Sequence, residues 1–410
     1  MKLSNCILIP SIVLFLVGCG NRPKSVAPPN AFEHAATQTR VMLGELERLK
    51  SGDGNQKPFP RTLTKYWELH KVGRKDWTSG FFPGSLWLLY EKTGDAYWLA
   101  PAQGYTELLE EQKNNPGSHD VGFQILCSYG NGYRITGNER YRDIIIQTAK
   151  TLSTRFNPKV GAIRSWDHNT DKWEYPVIID NMMNLELLFA ASRFSGDSTF
   201  YNIAVAHANT TMKNHFREDF STFHVVGYDP KTGEVTKKST HQGYSDDSAW
   251  ARGQAWALYG YTMAYRETRD NSYLELAENI AGFLLEHPRM PEDFVPYWDF
   301  DVPNIKTQPR DASAASIMAS ALYELGTYSQ KEIEYWEAAD KILVSLFKKY
   351  KSPVGGNKGF ILQHSTGHKP RKSEVDVPLN YADYYYLEAL SRRDQLNETG
   401  KLDIQNNLKP

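Results

Sequence analysis

The sequence predicts an all-α protein whose paired helices close into a ring, an α/α barrel. Three observations lead to this prediction: strongly apolar helical segments recur along the chain, a Gly-Asp-like turn ends each of them, and an amphipathic helix led by a tyrosine follows. Apolar helices suit a buried inner ring, and helices with one charged face suit an outer layer. An open solenoid built from the same helix pairs is the structural alternative.

Five such turns separate at least six helix pairs. The turns are Gly94-Asp95, Gly137-Asn138, Gly196-Asp197, Arg269-Asp270 and Gly326, and the tyrosines that lead the next helices are Tyr97, Tyr141, Tyr201, Tyr273 and Tyr335. The apolar segments before the turns, with a sixth that ends the series, are residues 85–90, 123–133, 185–194, 255–265, 313–325 and 381–390.

A single large domain is predicted, because no linker rich in Pro, Gly or Ser interrupts residues 40–395. We assign the barrel to residues 32–395 and a C-terminal tail to residues 396–410. The turn-rich stretch 225–240 predicts a small β-hairpin insertion.

The N-terminus reads as a targeting segment. Lys2 precedes an apolar run over residues 7–17 that is too short to span a bilayer as a stable helix. Small residues before Cys19 resemble the bacterial lipoprotein cleavage box, which predicts a signal peptide over residues 1–18, lipidation of Cys19 and a flexible tether over residues 19–31. We expect an exported lipoprotein, periplasmic and anchored to the outer membrane through its lipid alone; a plain secretory peptide with a chance cysteine is the alternative.

Composition excludes several classes of protein. With 40% hydrophobic and 13% aromatic residues among 410, the chain can fill a large core. A formal net charge of −1 offers no basic surface for nucleic acid. Removal of Cys6 and lipidation of Cys19 would leave only Cys127, so no intrachain disulfide is expected. Nothing in the composition indicates the oligomeric state.

Functional-looking residues lie just before each apolar helix, which would place them at one mouth of the ring. Capping by single Asp or Ser residues explains part of this pattern, but not Trp, Arg, His and Gln packed among glycines. The segments are residues 77–84, His119-Asp120, Asp180-Asn181, residues 248–256, 309–311 and 380–383.

Two of these segments, His119-Asp120 and Asp180-Asn181, contain one aspartate each. Together they offer a pair of carboxylates for catalysis. Each aspartate stands at a predicted helix start, where burial raises and the helix dipole or a cation lowers the pKa of a carboxyl group. Two close carboxylates also push their pKa values apart, so that one can hold a proton near neutrality.

Other chemistries find no support in the sequence. His119, His224 and His241 fit no compact metal-binding spacing, so no metal is expected. There is no Ser-His-Asp arrangement, nucleophile elbow or phosphate-binding glycine loop. Acid/base chemistry on a carbohydrate remains, with tryptophans as stacking surfaces and Arg252 for an anion.

Several rare phrases then match a known family. Residues 77–84, 119–123, 179–184, 241–243 and 248–256 resemble unsaturated glucuronyl hydrolases of glycoside hydrolase family 88, and the resemblance spans roughly residues 40–393. It implies an (α/α)6 barrel of six inner and six outer helices that needs no metal or cofactor. The implied substrate is an oligosaccharide that a lyase has left with a 4,5-unsaturated uronate, and the implied reaction is hydration of its C4=C5 vinyl ether.

The resemblance also implies roles for individual residues. Asp180 matches the general acid/base and Asp120 the second essential carboxylate. Residues that match the subsite of the unsaturated sugar are Trp77, Trp166, His224, Gln242, Arg252 and Trp256, with Arg252 or Gln242 as the partner of the sugar carboxylate. His119 and His241 adjoin this subsite.

A basic stretch near the C-terminus is a candidate for specificity. Ser365, Lys369, Arg371 and Lys372 could contact a sulfate on the leaving sugar, although a solvated basic loop fits equally well. Three other functions stay open on the sequence alone: a hydrolase of unsaturated galacturonate from pectin fragments, a lipoprotein that binds glycans without cutting them, and a polysaccharide lyase on a similar barrel.

Overall fold

The computed structural model describes residue 28, residues 30–49, residues 57–402 and residue 404. The predicted signal peptide, Cys19 and nearly all of the predicted tether lie outside these described residues. Within them, the first helix begins at Ala31 and the last one ends at Thr399, so the helical body extends slightly beyond the predicted limits of 32 and 395 at both ends.

Thirteen α-helices occur in the described part of the chain. The helices of the inner ring are α2 (Phe81–Thr93), α4 (Val121–Ile125) with α5 (Asn131–Thr136), α7 (Leu185–Ser195), α9 (Ala251–Thr268), α11 (Ala312–Gly326) and α13 (Asn380–Thr399). The helices of the outer layer are α1 (Ala31–Arg48), α3 (Leu99–Glu107), α6 (Glu139–Ser153), α8 (Ser198–His215), α10 (Asn271–Glu286) and α12 (Glu332–Ser345). A π-helical segment, Leu126–Gly130, joins α4 to α5, so the two form one inner arm.

The inner helices form a closed ring, because α13 packs against both α11 and α2. This contact between the last and the second helix rules out the open solenoid and confirms the predicted barrel. Each predicted apolar segment lies in an inner helix or inner arm, and most residues of these segments are buried; in α11 all fifteen residues are. The outer helices bury one face only, as in α6 and α10.

Four of the five predicted turns have one design. The residue after the inner helix adopts a left-handed backbone, at Gly94, Gly137, Gly196 and Arg269, with φ between 60° and 73°. The next residue, Asp or Asn, then accepts a hydrogen bond from the first turn of the following helix. The fifth turn differs, because Gly326 is still helical and packs so closely on Trp336 that a Cβ atom would lie 2.4 Å from its indole nitrogen.

Short β-hairpins lie in the connections between helices. The predicted hairpin within 225–240 is confirmed as β6 (Val225–Tyr228) and β7 (Val235–Ser239), and β5 (Tyr175–Ile178) extends it to three antiparallel strands. Three further hairpins are not predicted by the sequence: β1 (Phe59–Leu63) with β2 (Leu69–Val72), β3 (Phe156–Asn157) with β4 (Ala162–Ile163), and β8 (Ser365–His368) with β9 (Ser373–Val377).

The two ends of the barrel differ in chemistry. A cavity of about 400 Å³ opens at the C-terminal ends of the inner helices, and its inner wall includes Phe123 and Tyr385, which pack against Trp256. Charges nearby are compensated: Arg392 contacts Glu388 and Glu324. The catalytic candidates all lie at the other end, so the volume of this cavity does not locate the site. No helix in the described ranges is long and apolar enough to cross a membrane.

Candidate active site

The N-terminal ends of the inner helices bring the two predicted acids to one place. Asp120 directly precedes α4, and Asp180 lies in a 3₁₀ segment, Ile179–Asn184, that leads into α7. Asn184 joins the two segments, because its Oδ1 accepts the backbone N–H of Phe123 at 2.8 Å. The carboxyl groups are close enough that the charge of Asp120 raises the pKa of Asp180. Neither caps its own helix with a side-chain hydrogen bond, so both carboxyls are available for chemistry.

Asp120 combines burial with limited access. Its side chain is 20% exposed, and burial raises the pKa of the carboxyl to about 7, while a long hydrogen bond from Ser118 and the nearby amide of Asn184 act in the opposite direction. The Nε2 of His119 lies 3.3 Å from Oδ1 of Asp120. Burial lowers the pKa of His119 to about 3, so this imidazole is neutral beside the carboxyl.

Asp180 is the more enclosed of the two. Its side chain is 12% exposed, and burial raises the pKa of the carboxyl to about 7 even though Arg252 lowers it. An acid with such a pKa can hold a proton at neutral pH and release it to a substrate. The Oδ2 of Asp180 is buried without a hydrogen-bond partner among the described residues.

His224 turns a ring nitrogen toward Asp180 at a distance too long for a hydrogen bond. The backbone N–H groups of His241 and Gln242 both donate to Nδ1 of His224, at 3.2 and 3.1 Å. A nitrogen that accepts two N–H groups carries no proton, so the proton of the neutral ring is on Nε2. Nε2 lies 3.6 Å from Oδ2 of Asp180, and burial keeps the pKa of His224 well below its ordinary value. His224 can therefore stabilise negative charge at Asp180 but cannot take up its proton.

Arg252 and Gln242 hold the β8–β9 hairpin against the site. The two terminal nitrogens of Arg252 donate to Asp311 at 2.8 Å and to the carbonyl oxygens of Thr366 and Gly367 at 2.5 and 2.6 Å. Gln242 donates to the Gly367 carbonyl at 3.1 Å. Arg252 is 1% exposed, so in this structure it positions the hairpin and adds positive charge near Asp180. Its predicted contact with a sugar carboxylate stays a prediction.

The predicted tryptophans divide into two groups. Trp77 and Trp166 are partly exposed, and Trp166 packs on His241 with ring centroids 5.5 Å apart, so these three rings can face a sugar. Trp256 is completely buried between Phe123 and Tyr385, and its predicted contact with the sugar stays a prediction. Helix α9 turns its side chain into the core, where its contribution is to lower the pKa of Asp180.

The basic stretch is also divided by burial. Ser365 is completely buried in β8, so the prediction that it contacts a sulfate is wrong. Arg371 and Lys372 are exposed and Lys369 is partly exposed in the turn between β8 and β9. These three cations are free to contact a ligand at the rim.

Three further rings, which the sequence did not single out, shape the site. His368 packs edge-on against His241 at 4.9 Å, Trp250 stacks on His224 at 4.6 Å, and Tyr381 stacks on Trp77 at 4.9 Å. Trp250 and Tyr381 also face the guanidinium of Arg252. All three lie inside segments that the sequence analysis had already quoted, but nothing in the local pattern showed which ring would point inward.

The buried side chain of Arg155 links two loops that border the site. Its guanidinium donates to the carbonyl oxygens of Pro116 and Arg164 at 2.5 and 2.8 Å and forms a two-point ion pair with Asp167 at 2.8 and 3.1 Å. Pro116 belongs to the loop that leads to Asp120, and Asp167 follows Trp166. One buried side chain therefore sets the catalytic loop against the loop that carries a rim aromatic.

Metal-binding groups and cysteine pairing can be examined in the described residues. No three His, Cys, Asp or Glu side chains come together there as a group that could hold a metal ion. Cys127, the cysteine that lies in the described part, is buried and unpaired.

The chain is similar in sequence to known glycoside hydrolases. The family model for Glycosyl Hydrolase Family 88 matches residues 55–386. An unsaturated glucuronyl hydrolase of Formosa agariphila is 48% identical over 400 residues, which cover 96% of this chain and 99% of that protein. An unsaturated chondroitin disaccharide hydrolase of Streptococcus pneumoniae is 34% identical over 343 residues, 82% of this chain and 85% of that protein.

Solved structures agree with this match. The crystal structure of an unsaturated glucuronyl hydrolase specific for heparin superimposes with a TM-score of 0.84 at 45% identity, covering 93% of this chain and all of that one. The similarity therefore includes the whole barrel together with the ends of the inner helices that carry Asp120 and Asp180.

Proposed function

This chain belongs to glycosyl hydrolase family 88, and on that premise we propose that it removes a 4,5-unsaturated uronic acid from the non-reducing end of lyase-generated glycosaminoglycan oligosaccharides. The chain is a glycoside hydrolase. The observation that supports the proposal most strongly is the pair of neighbouring carboxyls whose pKa values are raised to about 7. General acid catalysis at neutral pH is most effective when the pKa of the acid lies near the working pH.

The proposed reaction is a hydration followed by a ring opening. Asp180 gives its proton to C4, and the electron deficiency that develops at C5 resembles an oxocarbenium ion. Water adds to C5, with Asp180 as the group that takes up its proton. The resulting hemiketal opens, the bond to the leaving sugar breaks, and the leaving oxygen gains a proton.

The remaining residues support these steps through charge and position. Negative charge on Asp120 stabilises the oxocarbenium character. The Nε2–H group of His224 stabilises Asp180 after it has given up its proton, and the neutral ring cannot compete for that proton. Trp77 and Trp166 provide faces for the sugar rings.

A panel of disaccharides tests the proposal. The soluble form that lacks residues 1–19 is incubated with lyase-generated disaccharides from chondroitin, hyaluronan and heparin, with unsaturated galacturonate from pectin for comparison. Loss of the ultraviolet absorbance of the double bond identifies a hydrolase. A gain in absorbance from intact polysaccharide would identify a lyase, and binding without any change would identify a glycan-binding protein.

We propose that Lys369, Arg371 and Lys372 bind a sulfate group on the leaving sugar. Replacing Lys369, Arg371 and Lys372 together with alanine is expected to lower the ratio of kcat/KM for sulfated over unsulfated disaccharides by about tenfold, because charge-assisted contacts to the sulfate are lost. Turnover of the unsulfated disaccharide should change little and is the internal control. An unchanged ratio would mean that this turn is a solvated basic loop.

Arg155 is expected to act by positioning. Arg155→Met should raise KM about tenfold by releasing the Trp166 loop and, because Arg155 lowers the pKa of Asp120, should also raise that pKa and move the pH profile of kcat/KM. Asp167→Asn breaks only the ion pair, so it should raise KM and leave the pH profile in place.

Arg140→Met is the matched control, since Arg140 forms an exposed ion pair with Glu110 on the outer layer. A purely structural role for Arg155 would lower thermal stability without moving either the KM or the pH profile of the folded fraction.

We also propose that the protein is exported and attached to the outer membrane through Cys19. The support is the sequence of the first nineteen residues. Fractionation of cells that express the full chain or its Cys19→Ala variant tests this: the full chain should enter the membrane fraction, and the variant should not.

A further inference from the structure

The β1–β2 hairpin presents the two most exposed aromatic rings among the described residues. Tyr66 is 72% exposed and Trp67 is 54% exposed, and both lie at the tip of the hairpin. A soluble surface seldom exposes two adjacent large aromatic side chains without use, and such rings are common in binding sites.

The tip is held rigidly. The Thr64 backbone N–H donates to the Glu68 carbonyl at 2.8 Å, and the Trp67 N–H donates to the Thr64 carbonyl at 2.9 Å. The Thr64 hydroxyl accepts the N–H groups of Tyr66 and Glu68 as well. Within this turn Trp67 adopts a left-handed backbone with φ of 59°, which is unfavourable for a bulky residue. The backbone that carries the two rings is therefore ordered before any ligand arrives, which reduces the entropy cost of binding.

The hairpin and its flanks carry an excess of basic residues, although the whole chain does not. Residues 57–76 contain six lysines and arginines (positions 57, 61, 65, 71, 74 and 75) and two acids, Glu68 and Asp76, a formal charge of +4, whereas the full chain carries −1. Arg61 and Arg74 are paired with acids. Lys65 and Lys75 are exposed, and Lys65 lies 4.9 Å from the centre of the Tyr66 ring. Aromatic faces bordered by ammonium groups fit a sugar polymer that carries carboxylates or sulfates.

The hairpin lies at the same end of the barrel as the candidate site. Thr62 pairs with Leu379, directly before α13 begins, and its hydroxyl donates to the Pro378 carbonyl at 2.7 Å. Arg61 forms ion pairs with Asp76, next to Trp77, and with Glu374 in β9. A chain bound at the tip would thus be held on the face where the site opens.

We propose that the tip of the β1–β2 hairpin is an exosite for an anionic polysaccharide, separate from the site that contains Asp120 and Asp180. It would hold the polymer from which unsaturated ends are released and so keep the enzyme near its substrate. An anionic membrane fits less well, because insertion of the tip would take the exposed Glu68 out of water, whereas a glycan can stack on the rings and leave Glu68 solvated. The inference rests on the proposed function only for the identity of the polymer.

Binding to an intact polymer tests the exosite independently of catalysis, because intact heparin and chondroitin sulfate have no unsaturated end to hydrolyse. The soluble chain lacking residues 1–19 is passed over each immobilised polymer and over neutral dextran. Tyr66→Ala/Trp67→Ala and, separately, Lys65→Glu are each expected to weaken binding to the anionic polymers about tenfold. Wild-type binding should weaken with added salt and be absent on dextran.

The control is Tyr97→Ala, which removes an exposed aromatic ring at the opposite end of the barrel and should leave binding unchanged. Hydrolysis of an unsaturated disaccharide should be the same in all four proteins, which also shows that they are folded. Equal polymer binding by the wild type and the tip variants would overturn the proposal, and so would a tip-dependent affinity for phosphatidylglycerol vesicles that exceeds the affinity for polymer. If the proposed function fails, disaccharide turnover is lost while the polymer result still stands.

Discussion

Asp180→Asn is expected to lower kcat by about 10³-fold without disturbing the barrel, an effect at the upper part of the range for loss of a general acid/base. Asparagine has the shape of aspartate but no transferable acidic proton, so C4 of the unsaturated ring cannot be protonated. KM should change much less, because the rings that face the sugar stay in place. The measurement is the rate at which the absorbance of the double bond disappears.

The folded state of Asp180→Asn can be checked by its response to pH. Because burial raises the pKa of Asp180, the folded protein binds this proton more tightly than the unfolded chain between about pH 4 and pH 7. The free energy of unfolding of the wild type therefore falls as the pH rises through this interval. In the variant this position has no proton to lose, so its free energy of unfolding does not decrease in this way. At pH 8 the variant should therefore melt at or above the melting temperature of the wild type. At pH 4 the two melting temperatures should be equal.

Asp197→Asn is a matched control for the substitution itself. Asp197 caps α8 on the surface, and asparagine caps a helix equally well, so activity and stability should both be retained. Near-normal turnover by Asp180→Asn would show that another group supplies the proton, and the proposed mechanism would then be wrong.

Asp120→Asn is expected to lower kcat/KM by about 10²-fold and to move the basic limb of its pH profile to lower pH. The rate decreases because the positive charge that develops at C5 loses a nearby anion. The limb moves because Asp180 must be protonated to act as the acid, and the negative charge of Asp120 contributes to its raised pKa. Without that charge, Asp180 loses its proton at lower pH.

The pH profile separates this role from a merely structural one. The two carboxyls interact, so the wild-type limb belongs to the pair and not to one residue. Damage to the fold would reduce activity at every pH without displacing the limb. A limb that stays in place, or moves to higher pH, would show that Asp120 does not act on Asp180 through its charge.

Much of the site could be predicted from residues that stand together in the chain. Asp120 and Asp180 were identified because each precedes an apolar helix, and in an α/α barrel the starts of all inner helices meet at one end. The same pattern predicted the helix pairs, since an apolar segment, a left-handed turn and a capping Asp or Asn are local features. The three further hairpins were missed because their strands are only two to five residues long, too short to show a clear alternation of apolar and polar residues.

The sequence by itself determined the barrel, the end at which its chemistry lies and the two acids, because helical periodicity and helix starts depend on neighbouring residues. Only the tertiary structure decided how each side chain is used. Burial placed Ser365 out of reach of a ligand, and two distant backbone N–H groups fixed the proton of His224 on the nitrogen that faces Asp180. Burial and hydrogen-bond partners depend on packing between segments far apart in the chain, which no local pattern records.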